Sequence, residues 1–85
     1  MRVLIPSQLR SYTHAAEVAG VGSTLEELTQ NLDAQFPGIR FRIIDEQDRI
    51  RRHIRIFVNG EAVNTLATAL AASDEVQIVG ALTGG

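Results

Sequence analysis

Apolar residues alternate with polar ones at both ends of this 85-residue chain, and between them recur once with a helical period. Met1, Val3 and Ile5 alternate with Arg2 and Leu4 ahead of Pro6, which predicts a strand with a buried face. Ser7 to Thr13 is polar and turn-like. His14 to Val21, with Ala16, Val18 and Ala19, predicts a second, weaker strand before Gly20-Val21-Gly22. A short connection suits antiparallel pairing of the two, and Gly20 and Gly22 read as a turn ahead of the helix.

Leu25, Leu28, Leu32 and Phe36 form one apolar stripe at helical spacing, while Glu26, Gln30, Asp33 and Gln35 avoid it. Thr24 with Glu27 fits a capping box at the start, and Ser23 with Glu26 offers the same pattern one residue earlier. Pro37-Gly38 predicts the stop. The stretch from Ile39 to Arg52 reads two ways. Ile39, Phe41 and Ile43 alternate as in a strand, whereas Ile39, Ile43 and Ile44 suit a short helical turn. Asp45 to Asp48 reads as a solvated turn.

Ile54, Ile56 and Val58 define a period-two strand with His53, Arg55 and Phe57 on its other face. Asn59-Gly60 signals a two-residue hairpin, because both residues tolerate positive φ, and Glu61-Ala62-Val63 begins the return. Leu66 to Leu70 suits a short helical turn on the core, Ser73 to Glu75 a turn, and Val76 to Val79 a last strand. A single helix beside so small a mixed sheet must cover one of its faces. This order predicts an α+β, β-grasp (ubiquitin-like) domain of four to five strands over residues 1–80. The last strand lies beside the first and releases a flexible tail, residues 81–85.

Composition narrows the chemistry. The chain is 45% hydrophobic and 21% charged, as in a folded single domain. It has no apolar run of the roughly 18–20 residues a bilayer span needs and no signal-peptide pattern, so cytoplasmic residence is expected. Without cysteine there is no disulfide, thiolate site or thiol nucleophile, and two histidines, His14 and His53, with no calcium-loop spacing give no metal site. No Ser–His–Asp pattern, carboxylate pair or phosphate-cradling loop is evident. All eight basic residues are arginine, so the chain offers no lysine for isopeptide bonds. What remains is the Gly84-Gly85 pair after the last strand: a thread without side chains, ending in a carboxylate.

With that tail in view, the chain resembles the ubiquitin-like sulfur carrier proteins. These comprise the small subunit of molybdopterin synthase, the thiamin-pathway carrier and the carrier of a thiocarboxylate route to cysteine. The likeness rests on Ile5-Pro6 with Leu9-Arg10-Ser11-Tyr12-Thr13, Thr24-Leu25, Phe36-Pro37-Gly38, Ile56-Phe57-Val58-Asn59-Gly60-Glu61, Asp74-Glu75-Val76 and Gly80 to Gly85. The Leu-Arg-Ser-Tyr-Thr segment looks most like the cysteine-route carriers. The resemblance implies a protein cosubstrate that is not itself an enzyme and holds no cofactor. A separate ubiquitin-activating-type enzyme would use ATP to adenylate the Gly85 carboxylate. A sulfur donor protein would convert the adenylate to a thiocarboxylate, and a biosynthetic enzyme would take the sulfur. Gly84 fits this role because a Cβ would obstruct a narrow channel. Since the chain ends at the glycines, no processing step is expected.

Around that reactive end, Ala81, Leu82 and Thr83 are expected to engage a partner groove, with Leu82 either an anchor or an ordinary exposed leucine. Phe57 belongs either to an exposed docking patch or to the core in another register. Six arginines between Arg40 and Arg55 read as a solvated face or a partner-docking patch rather than a nucleic-acid surface, since the domain is net −2 and poor in aromatics. The chain is expected to be a free monomer that binds neither nucleic acid nor membrane. Two other readings compete: a ubiquitin-like modifier joined through Gly85 to lysines of other proteins, and a plain β-grasp interaction module.

Overall fold

The computed structural model describes residues 1–80, so expectations for Ala81, Leu82, Thr83, Gly84 and Gly85 lie outside the described residues. Five strands form one sheet in the order β2-β1-β5-β3-β4: β1 (Arg2–Leu4), β2 (Glu17–Ala19), β3 (Ile54–Val58), β4 (Glu61–Val63) and β5 (Glu75–Gly80). β1 pairs antiparallel with β2 and parallel with β5, and β3 pairs antiparallel with both β4 and β5. The last strand is thus central, flanked by β1 and β3, as the β-grasp reading requires.

The core lies between one face of this sheet and three helices: α1 (Arg10–Thr13), α2 (Leu25–Gln35) and α3 (Ile39–Ile43). The predicted stripe of α2 is buried: Leu25, Leu28 and Leu32 are at most 1% exposed and join Val3, Ile56, Val76 and Ile78 in one cluster. Thr24 caps α2 by accepting from the Glu27 amide at 3.2 Å. The reciprocal arm lands one residue early, with the Glu27 carboxylate accepting from the Ser23 amide (2.9 Å) and hydroxyl (2.8 Å). Both predicted starts therefore contribute to a single cap.

Gly22 is needed for closeness rather than for the turn alone. A Cβ there would stand 2.6 Å from the backbone nitrogen of Leu28 and 3.0 Å from the Glu27 carbonyl carbon. Those atoms belong to the first turns of α2 and cannot yield without moving the helix. Gly22→Ala is expected to cost about 1–3 kcal/mol, read as a lower urea midpoint with unchanged m-value.

Two segments depart from the simplest reading. Ser7 to Thr13 is not a plain polar turn: a 3-10 turn (Ser7–Leu9) runs into α1, burying Leu9 and Thr13. The stretch after Pro37-Gly38 resolves as helix. The i, i+4 pair Ile39 and Ile43, with Ile44, is fully buried, while Phe41 stays 55% exposed. A strand would have sent Phe41 inward with Ile39 and Ile43. Arg40 ties α3 to α2 through Glu26 at 2.6 Å, with Asp48 at 3.4 Å. Leu66 to Leu70 forms a turn, Thr68 N to Thr65 O, followed by a bridge from Ala69 to Thr24, rather than a helical turn.

The Asn59-Gly60 hairpin is as predicted, with φ of 50° and 86° and Val58 opposite Glu61. Asn59 also clasps the start of β5: its amide donates to Glu75 O, its Oδ1 accepts from Glu75 N, and its Nδ2 donates to Asp74 Oδ1, each at 2.9 Å. The Ala71 amide and then Asn59 hold the Asp74 carboxyl below its usual range, as the Ser23 amide and hydroxyl do for Glu27. A depressed carboxylate stabilises the fold above its unfolded-chain pKa, about 3.9 for Asp and 4.3 for Glu, and that contribution is lost as pH falls through the folded value. Thermal midpoints are accordingly expected to fall as pH is lowered through about 4. Asp74→Asn should start lower at neutral pH and lose less on acidification.

Candidate functional site

Gly80 is the last residue of β5 and the last described residue before the tail, residues 81–85. It pairs with Ile54, and its carbonyl accepts from the Gln8 side-chain amide at 3.2 Å. A Cβ at position 80 would lie 2.6–2.8 Å from the Gln8 amide atoms, so glycine here lets Gln8 lie across the strand end. The 3-10 turn absent from the sequence reading is what brings Gln8 to this point. No local pattern could have signalled the contact, because the two residues are 72 positions apart.

The strand register decides the reading of Phe57. It faces away from the helices, in one row with Leu4, Gln77 and Ala62 across β1, β5, β3 and β4. Val79 occupies the next row on β5, opposite Arg55. Leu4, Phe57 and Val79 are half-buried, while Gln77, Ala62 and Arg55 are exposed. The outer face of the sheet thus carries a small apolar patch, and Val79, next to Gly80, connects it to the tail exit. Phe57 belongs to this patch and not to the core.

The other side of the exit is basic. A shallow concavity of about 420 Å³ is lined by Leu9, Phe41, Arg42, Arg51, His53 and Gly80, among others. Arg51 lies over the Phe41 ring at 4.5 Å and donates from Nε to the Phe41 carbonyl at 2.6 Å. Among the described residues no group of three or more His, Asp or Glu side chains stands together as a metal site, and no helix is long and apolar enough to cross a membrane. The end of β5 thus has an apolar patch on one side and arginines on the other.

The chain matches the family model of the ThiS family over residues 3–85. It is 37% identical over 89 aligned residues to the sulfur carrier protein CysO of Mycobacterium tuberculosis, covering 98% of this chain and 96% of that protein. The crystal structure of that protein superposes with a TM-score of 0.89 at 36% identity, over 95% of this chain and 98% of that one. A chain of the Amycolatopsis orientalis BexX/CysO complex gives a TM-score of 0.91 at 30% identity, over 99% and 98%. SAMP1 from Haloferax volcanii gives 0.82 at 25% identity, over 100% and 98%.

Proposed function

The chain belongs to the ThiS family, and from that footing we propose that it carries sulfur as a thiocarboxylate on Gly85. The observation that supports this most is its 37% identity, across nearly its whole length, to a protein named as a sulfur carrier. A carboxylate oxygen of Gly85 attacks the α-phosphorus of ATP in a separate adenylating enzyme of the ubiquitin-activating type, releasing pyrophosphate. Hydrosulfide delivered by a donor protein then attacks the acyl carbon and AMP leaves, so that Gly85 carries a thiocarboxylate until a biosynthetic enzyme accepts its sulfur. The domain contributes shape and charge, and the partners contribute catalysis. It acts as a cytoplasmic monomer with no cofactor of its own.

Ala81, Leu82 and Thr83 thread the partner's channel in this scheme, with Gly84 at its narrowest point. Phe57, with Leu4 and Val79, docks the sheet's outer face beside it. Apolar anchors at interface centres carry most of the binding energy, and each 1.4 kcal/mol is tenfold. Phe57→Ala is therefore expected to raise the KM for the carrier by about tenfold with kcat within about twofold, measured as adenylate formation.

The test is intact-mass spectrometry after incubation with ATP, the adenylating enzyme and a sulfur donor. Replacement of one oxygen by sulfur, localised to Gly85, supports the reading. Lysine-linked adducts on other proteins without that replacement would favour a ubiquitin-like modifier, the second reading, which draws on the likeness to SAMP1. Neither product would leave an interaction module.

A further inference from the structure

Charge in this chain is sorted by position. Residues 40–55 hold six arginines against Asp45, Glu46 and Asp48, whereas the rest of the chain holds two arginines against seven carboxylates. Arg40 is committed to Glu26 and Asp48, and Arg2 to Glu17 and Glu75. Arg42, Arg49, Arg51, Arg52 and Arg55 make no ion pair with a carboxylate among the described residues. Three adjoining concavities share Arg51 in their walls: one reaches Gly80, one holds Arg49 and Arg52, and one extends along β3 to Arg55. Because Ile54 pairs with Gly80, the segment entering β3 borders the end of β5. Arg42 and Arg51 therefore stand beside the end of β5, with Arg52 and Arg55 adjoining and Asp45 offsetting only Arg49 and Arg51, on a chain that is otherwise acidic.

Resting on the carrier reading, we infer that this basic rim docks an acidic protein surface around the entrance of the enzyme that receives the tail. Clustered like charges beside a chain that must enter a channel raise the encounter rate and orient the approach. A nucleic acid fits the same surface less well. The acidic remainder of the domain repels an extended polyanion, and Phe41, with Arg51 over one face, is a lone ring and not the row of aromatics on which successive bases stack.

Arg42 and Arg52 make the cleanest probes, since neither side chain makes a hydrogen bond within the described residues. Arg42→Gln with Arg52→Gln is compared with a control of equal charge change, Gln30→Glu with Ser73→Glu, both exposed. At low salt the first pair is expected to lower kcat/KM for adenylation about tenfold, with the gap closing as salt screens the contact, and the control to stay within about twofold. Equal losses in both pairs, or none, would overturn the proposal. A second arm does not depend on sulfur chemistry: amide NMR of the intact chain with a ten-residue glutamate peptide and with a ten-nucleotide thymidine strand. Shifts confined to residues 40–55 with the peptide, lost in the arginine double variant, support an acidic protein partner. Silence with the peptide, or tighter binding of the DNA, would overturn it even if Gly85 is converted.

Discussion

A single alanine appended after Gly85 is expected to abolish thiocarboxylate formation, with at least a hundredfold loss of the sulfur-for-oxygen product and no change in melting temperature. The added residue moves the carboxylate one peptide beyond its place and turns the Gly85 carbonyl into an amide, which cannot be adenylated. A shift of about 1 Å in a reacting group costs about a hundredfold, and here the reacting group itself is replaced. The fold should be indifferent, because among the described residues the last core residue is Ile78 and the last paired one is Gly80, well before the addition. Intact mass and thermal denaturation on the same sample separate the two effects. If the extended chain still gained sulfur at its end, or retained full cellular function, Gly85 would not be the acyl group and the carrier and modifier readings would both fall.

The largest effect on stability is expected at Leu32. Its side chain is 0% exposed and lies in the centre of the α2 stripe, where its Cδ2 comes within 3.5 Å of a Cβ built on Gly20. Leu32→Ala removes three carbons from a fully buried site in the core cluster, where the surroundings relax only partially into the gap. A loss of about 3–5 kcal/mol follows, against a total stability of roughly 5–10 kcal/mol for a domain of this size. The variant should populate unfolded chain at 37 °C, seen as a urea midpoint at half the wild-type value or lower. A loss below about 1 kcal/mol would mean that α2 is packed more loosely than its burial implies.

The sequence made strands and main helix legible because one periodicity ruled each of them. Val3 and Ile5, Ile54 and Ile56, and Leu25, Leu28 and Leu32 each face inward at the spacing their element demands. Where two periodicities overlapped, local pattern failed. Ile39, Phe41 and Ile43 fit a strand as well as a helix, and the burial of Ile44 with the exposure of Phe41 breaks the tie. Ser7 to Thr13 looked polar because Leu9 is its one large apolar residue, and a tertiary contact set its helical form. The terminal Gly84-Gly85 pair was readable as a motif. The arginine cluster and Phe57 were legible as candidates for a docking patch, but that Phe57 shares a row with Leu4 and that Arg42 and Arg51 border Gly80 were not, since each depends on strands and loops distant in sequence meeting in register.

The placement of β5 bears on how the protein is made. A ribosome delivers Glu75 to Gly80 after everything they pair with, yet these residues form the middle of the sheet, joining β1 to β3. Until they emerge, the nascent chain holds two separate hairpins and an α2 stripe with no complete surface to cover, so folding awaits β5. A polypeptide cut short before β5 cannot close its core and is left to proteases. Vectorial synthesis thereby filters the product: a folded domain that lacks β5 is not made in quantity.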